Sequence, residues 1–365
     1  MHVPASLLSL LCLLCSTRLA SVQAIANGDK SIDIQRLLEN HASWTQLPDN
    51  KLAVLVGYHV IYSWPGPMLP QRLLHLAKAG KVGGVIIFGE NVNENLPSQI
   101  QSLQDAYANG EVARLPGGPT ESAKDIGSSA HPAKAAASAG VVAADACRAY
   151  NVNGNLAPVI DVYRTENDFD DQCSRSYSTD PSIVNRCGSA FISSQQSHGV
   201  LATAKHFPGL GAASSSENTD LGPVTLNVPL AQLRSIDEVP FKGAIAQGVS
   251  ILMPSWAVYP AFDPDRPAGL SRRWIQSELR GRLKFESVTI SDAIEAGALE
   301  NYGSNATRAV TAVEAGMDIA LASGRDVSQG KSVLDGLVAA IKAGEVSSAD
   351  FAASTKRIVA LRSRL

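Results

Sequence analysis

The groups able to do chemistry in this chain stand where apolar runs stop. Leu201-Ala202-Thr203-Ala204 leads into Lys205-His206-Phe207-Pro208-Gly209-Leu210-Gly211. Alternating small and apolar residues over 200–204 predict a strand buried on both faces. Pro208, Gly209 and Gly211 end it where Lys205 and His206 emerge. An ammonium in that place suits vicinal hydroxyls or carboxylates; it also suits imine formation with a carbonyl substrate, or a buried ion pair with Asp161. Asp161 ends the apolar run Ala157–Ile160 and either accepts from a substrate hydroxyl or orients Lys205. Asp292 follows Val288–Ser291 directly; it is either a nucleophilic carboxylate or, with Glu295, one half of a helix capping box. The loop Ser214-Ser215-Ser216-Glu217-Asn218-Thr219-Asp220 adds two acids. Asp220 can donate a proton if desolvation raises its pKa, with Glu217 in reserve; the other reading is a run of turn formers. Trp256, after Met253-Pro254-Ser255, either stacks on a ring or packs in the core.

Positioning such groups requires strands that end at one face. Compact apolar runs predict strands at 52–56, 84–88, 157–161, 201–205, 250–253, 288–291 and 318–322. Helical spacing separates them near 69–79, 97–107, 132–149, 182–198, 230–247, 272–283 and 306–316, and two more helices near 331–343 and 347–363 close the chain. A short helix is expected at 34–38 in a lead-in over 25–50. The alternation is that of an α/β chain folded as a (β/α)₈ barrel, whose site lies at the C-terminal ends of the strands. The count is one strand short: the interval from Phe88 to Ala157 holds two helical patterns and no apolar strand between them.

Lys205-His206-Phe207-Pro208-Gly209-Leu210-Gly211 resembles the signature of the family 3 glycoside hydrolases, especially their single-domain β-N-acetylglucosaminidase branch. Companion motifs follow in order: Ala157 to Val162, Ser174-Arg175-Ser176-Tyr177 before Asp180-Pro181, and Thr289-Ile290-Ser291-Asp292-Ala293. The resemblance covers roughly residues 50 to 325. It implies a retaining exo-β-glycosidase, with Asp292 as nucleophile and Lys205, His206 and Arg175 holding sugar hydroxyls. Two departures stand out. The family strand ending in Asp-Gln-Glu-Gly-Gly has no counterpart near residues 105–111, where Asp105-Ala106-Tyr107-Ala108-Asn109-Gly110 runs into Glu111-Val112-Ala113-Arg114-Leu115. A truncated gene model or splice form would explain the omission; the alternative is that 102–107 is recruited as a poor strand or that the barrel closes imperfectly. The branch's Asp-x-His proton-transfer dyad is also missing, since none of the 7 histidines lies between Leu210 and Val224; Asn218 and Asp220 take its places. A silent sugar-binding relative is therefore the second expectation, and a Schiff-base aldolase using Lys205 the third.

With 365 residues, 45% hydrophobic and 18% charged, the chain can bury a large core. A net charge of −3 offers no basic face to nucleic acid, and a small neutral carbohydrate is the expected partner. No cofactor is expected and no metal, since His, Cys and carboxylates form no ligand-spaced cluster. Met1–Ala24 reads as a secretory signal peptide, too short in its apolar run to span a membrane, so the expected product is secreted, with its barrel over 51–365; the resemblance to single-domain enzymes implies a monomer. Removal of the peptide takes Cys12 and Cys15 and leaves Cys147, Cys173 and Cys187; Cys173 with Cys187 is the expected bridge, the alternative being three small buried hydrophobes. Asn305-Ala306-Thr307 is a glycosylation sequon.

Overall fold

The computed structural model describes residues 11–12, 41–107 and 117–365. Its parallel strands are β1 (Val60–Tyr62), β2 (Gly84–Ile87), β3 (Gly154–Asn155), β4 (Leu201–Phe207), β5 (Ile251–Pro254), β6 (Val288–Ala293) and β7 (Ile319–Leu321). They lie in the order β2-β1-β7-β6-β5-β4-β3, a curled sheet that forms an incomplete (β/α)₈ barrel. Every residue of β1, β2, β4 and β5 is buried, as expected of strands covered by helices outside and packed side chains inside. The register pairs Ala320 with Val60, Ile319 with Ile290, Ile251 with Val288, and Ala204 with Leu252. Those pairings bring the C-terminal ends of the strands, with Lys205 and Asp292 in β4 and β6 and Phe88 and Ser323 just beyond β2 and β7, to one end of the sheet.

The first expected strand is a helix. Residues 52–56 belong to Asp49–Gly57, and the strand is Val60–Tyr62. Pro48 and Asp49 form a helix entry, and Leu52, Leu55 and Val56 are buried at helical spacing; a short apolar run does not distinguish the two periods by itself. The third strand is also displaced. Pro158 lacks a ladder donor, so only Gly154–Asn155 pairs regularly, although Val159 still bridges to Lys205 and the Ile160 N–H donates to the Lys205 carbonyl at 2.9 Å.

Between β2 and β3 the described chain forms a 3-10 turn, Gly89–Asn91, and three α-helices, Leu96–Tyr107, Ala123–Ser128 and Pro132–Ala149. Residues 102–107 are therefore helical, not a recruited strand; positions 108–116, where the family strand would end, lie outside the described residues, as does the expected helix at 34–38. Among the described residues no parallel strand stands between β2 and β3; Leu11–Cys12 pairs antiparallel along β2, Leu11 opposite Ile87.

At the opposite end of the barrel Asp318 ties β6 to β7. One carboxylate oxygen accepts from the Thr289 N–H at 2.8 Å and from Arg280 at 2.7 Å, the other from Arg357 at 2.7 Å. These donors hold its pKa low despite burial. His59 completes the plug: its ring stacks on Phe351 at 4.0 Å and bonds to the Asp318 carbonyl and the Thr355 hydroxyl. Cys147, Cys173 and Cys187 are all free thiols, so the expected Cys173–Cys187 bridge is not formed; burial pushes the Cys187 thiol up to about 11. No helix among the described residues is long and apolar enough to cross a membrane.

Candidate active site

The C-terminal ends of the strands enclose a cavity of about 340 Å³. Arg175, Lys205, His206, Asp220 and Asp292 all line it, together with Phe88, Glu295, Ser323 and Arg325. Lys205 and His206 are neighbours in sequence, and alternation on a regular strand would send them to opposite faces. The ladder between β4 and β5 shifts register between Lys205 and Phe207, and this irregularity lets both side chains reach the cavity. The glycines of the motif hold the turn that follows. Gly209 has φ +138°, and a Cβ on Gly211 would lie 2.1 Å from the Val162 carbonyl oxygen, so only glycine lets this loop press against the chain after Ile160.

Asp161 is fully buried below that loop and does not line the cavity. Its carboxylate accepts from the backbone N–H of His206 at 3.0 Å and of Leu210 at 2.8 Å, and from His206 Nδ1 at 2.8 Å. It orients His206, not Lys205, and it has no open face toward a substrate hydroxyl. Burial, followed by the charge of Arg175, pushes the His206 pKa down to about 3. The ring is therefore neutral; the network assigns its proton to Nδ1, donating to Asp161, and leaves Nε2 as an acceptor.

Lys205 is 6% exposed and forms no ion pair with any described carboxylate, so the buried-pair alternative with Asp161 does not hold. Burial and then Arg175 lower its pKa to about 8, against the pull of Asp292, Asp161 and Asp220, and the ammonium persists at neutral pH. Arg175 is fixed by a bond from Nε to buried Asp170 at 2.7 Å, with its guanidinium 5.0 Å from the centre of the Phe169 ring.

The two acids face this cationic floor. Asp292 sits within β6, and its Oδ1 accepts from the Ala293 N–H at 2.8 Å. No helix begins there: the next helical turn is Gly297–Tyr302, and Glu295 is held instead by the Ser323 hydroxyl at 2.6 Å and Gln329 Nε2 at 2.7 Å. The capping-box alternative fails for that reason. Asp220 belongs to an exposed turn at the mouth, pinned where its own carbonyl accepts from the Gly297 N–H at 2.9 Å and that of Thr219 from the Ala298 N–H at 3.0 Å. The loop of Asp220 is thereby fastened to the segment that follows Asp292. Desolvation and the negative charge of Asp292 raise the Asp220 carboxyl to about 6, against Arg175 and Lys205.

Two other expected residues stand elsewhere. Glu217 does not line the cavity; its carboxylate accepts from the Ser214 N–H at 2.7 Å and closes the loop's own turn. Trp256 is buried outside the cavity, its indole N–H donating to the Ala293 carbonyl at 2.9 Å, so it braces the strand end of Asp292 and cannot stack on a sugar in the cavity. Sequence reasoning missed Phe88, Glu295, Ser323 and Arg325 as lining groups. Phe88 and Ser323 each stand at or just beyond the end of an expected strand, a position that itself was the available signal. Among the described residues no cluster of His, Cys, Asp and Glu could hold a metal ion.

The fold agrees with comparison to known proteins. A family model described as the Glycosyl hydrolase family 3 N terminal domain matches residues 104–361. An "Uncharacterized secreted glycosyl hydrolase" of Arthroderma benhamiae is 50% identical over 86% of this chain and 94% of its own length. A "Beta-hexosaminidase" of Pseudomonas aeruginosa is 32% identical over 70% of this chain and 79% of its own. Among solved structures, a family 3 beta-N-acetylglucosaminidase from a Paenibacillus species superposes with a TM-score of 0.79 at 29% identity, over 86% of this chain and 62% of that one. The Beta-N-acetylhexosaminidase of Beutenbergia cavernae gives 0.76 at 27% identity, over 87% and 98%. An incomplete (β/α)₈ barrel, a family-model match over most of its length and relatives more than 30% identical place this chain in glycosyl hydrolase family 3.

Proposed function

We propose that the chain is a secreted retaining exo-β-glycosidase that releases terminal β-linked N-acetylglucosamine. The observation carrying this reading is that Asp292 and Asp220 line one cavity with Lys205, His206 and Arg175, while the environment raises the Asp220 carboxyl to about 6. Two carboxyl groups in one pocket, one held ready as an acid, are what double displacement at an anomeric carbon needs. The Asp292 carboxylate attacks C1 as the C1–O bond breaks, and Asp220 delivers its proton to the departing oxygen. Asp220, now ionised, takes a proton from water; that water attacks C1, expels Asp292 and frees the sugar with its original configuration. Lys205 and Arg175 donate to the sugar's hydroxyls, and neutral His206 accepts from one through Nε2. The sugar itself is inferred from the Pseudomonas and Paenibacillus relatives, whose names specify hexosaminidase and N-acetylglucosaminidase. Secretion is inferred from the Met1–Ala24 pattern and from the Arthroderma relative's name.

A panel of aryl β-glycosides tests the reading, with Asp292→Ala as control. Turnover of the N-acetylglucosaminide that vanishes in Asp292→Ala supports it; turnover that survives the substitution refutes the assigned nucleophile. One observation favours a second reading, a sugar-binding protein without turnover: among the described residues the barrel lacks a parallel strand between β2 and β3. A soluble, cooperatively unfolding protein that binds the sugar and cleaves none of the panel would establish that reading instead.

A further inference from the structure

The cavity wall beyond β2 and β7 carries chemistry that Asp292 and Asp220 do not use. Arg325 lines the cavity with its guanidinium 4.4 Å from the centre of the Phe88 ring. Its Nε lies 3.5 Å from Glu90, and its two terminal amino groups bond to none of the described residues. The backbone of Arg325 is in the left-handed region at φ +54°, a costly conformation for a residue other than glycine. It is held there by neighbours: the Arg325 N–H donates to the Ser63 hydroxyl at 2.8 Å, and the Gly324 N–H to Gln329 Oε1 at 2.8 Å. Such enforced conformations gather where a side chain must be presented to a ligand.

Burial tells which part of a ligand Arg325 would meet. Lys205 and His206, at 6% and 5% exposed, form the closed end of the cavity. The Arg325 side chain is 47% exposed, and Asp220 is exposed as well. A sugar undergoing substitution at Asp292 occupies the closed end, so its leaving group points to the rim where the proton donor stands. Resting on the glycosidase reading above, we infer that Arg325, stacked on Phe88, binds a saccharide leaving group and selects for it. The planar fork donates to vicinal hydroxyls of the second sugar, and the flat guanidinium–phenyl stack offers a surface to its pyranose ring.

The test compares kcat/KM for two substrates of the wild-type chain and its variants. One is a β-linked N-acetylglucosamine disaccharide; the other is β-N-acetylglucosaminyl fluoride, whose single-atom leaving group cannot reach the rim. In Arg325→Ala the disaccharide-to-fluoride ratio is expected to fall roughly ten- to a hundredfold, the usual cost of losing hydrogen bonds from a charged group. Arg325→Lys should recover only part of the ratio, because an ammonium lacks the fork. A ratio unchanged in Arg325→Ala, or losses equal for both substrates, overturns the inference. If Arg325→Ala melts early, Phe88→Leu, which removes the flat partner, is expected to lower the same ratio, and an unchanged ratio there overturns the inference equally. Wild-type hydrolysis of the fluoride without the disaccharide overturns the inference and leaves the proposed function standing. Hydrolysis of neither overturns the function, and the inference with it.

Discussion

Replacing Asp220 with asparagine removes the one acid whose ionisation the cavity shifts into the working range. A carboxyl at its ordinary value of 3.8 would be protonated in fewer than about one molecule in a hundred at pH 6, whereas one raised to about 6 is protonated in half of them. Partial desolvation of its carboxyl at the cavity mouth and the charge of Asp292 together therefore enlarge the acid-competent population by nearly two orders of magnitude. Loss of a general acid typically costs about a hundred- to ten-thousandfold in rate. The cost falls on leaving groups that need the proton: Asp220→Asn should abolish cleavage of a β-linked disaccharide while sparing most of the bond-breaking step for a 4-nitrophenyl glycoside, whose phenolate departs unaided. The assay is kcat/KM for both substrates across pH 4 to 8. In the wild type, disaccharide cleavage should decline above about pH 6 as the donor ionises, and in Asp220→Asn that decline should disappear. A decline that persists in Asp220→Asn, or equal losses on the two substrates, would refute the assignment of Asp220 as donor.

Four further outcomes follow from the packing. Asp161→Ala leaves the His206 ring and two buried N–H groups without their acceptor; a loss of at least about 1–3 kcal/mol in urea unfolding is expected, with kcat/KM falling as His206 loses its orientation. Gly211→Ala places a methyl group against the Val162 carbonyl and should cost at least about 1–3 kcal/mol, read as an earlier thermal transition together with impaired turnover. Trp256→Phe removes the indole donor to Ala293 and should cost about 1 kcal/mol of stability without weakening competitive inhibition by free N-acetylglucosamine; a large rise in the inhibition constant would restore Trp256 as a sugar platform. His59 is buried and neutral, its pKa pushed down to about 4, below the value of about 6.5 it regains on unfolding. Between those values the unfolded chain binds more protons, so stability is full above pH 6.5 and declines as pH falls toward 4, by on the order of 3 kcal/mol from this group. Urea midpoints from pH 7 to 4.5 should show that decline, and His59→Gln should flatten it.

Much of the barrel was legible because its strands are bounded by glycine, proline and polar groups and its helices are long. β4, β6 and β7 contain the apolar runs that announce them, and helices such as Pro181–Ser197 and Ser348–Arg362 match their spacing. Leu52–Val56 misled because a buried helix face and a buried strand share composition over five residues, and the true first strand, Val60–Tyr62, begins directly after His59. The site was legible in types and not in partners. Lys205, His206, Arg175, Asp220 and Asp292 meet in one cavity, yet nothing in the linear order says that Asp161 takes His206 and leaves Lys205 open. Trp256 failed for the same reason, since a residue near a strand end faces inward or outward according to local backbone geometry that spacing does not carry, and Glu217 failed because its carboxylate closes the turn of its own loop. The capping-box alternative for Asp292 and Glu295 arises in the sequence because the partners of Glu295, Ser323 and Gln329, lie some thirty residues away.

The central claim is that Asp292 becomes bonded to the sugar. Incubating the purified chain with a 5-fluoro-N-acetylglucosaminyl fluoride, which slows the second displacement, should raise its intact mass by one fluorosugar residue, and peptide mapping should place that mass on Asp292. Turnover of an N-acetylglucosaminide with no label on any peptide, or a label found on a residue other than Asp292, would contradict the account.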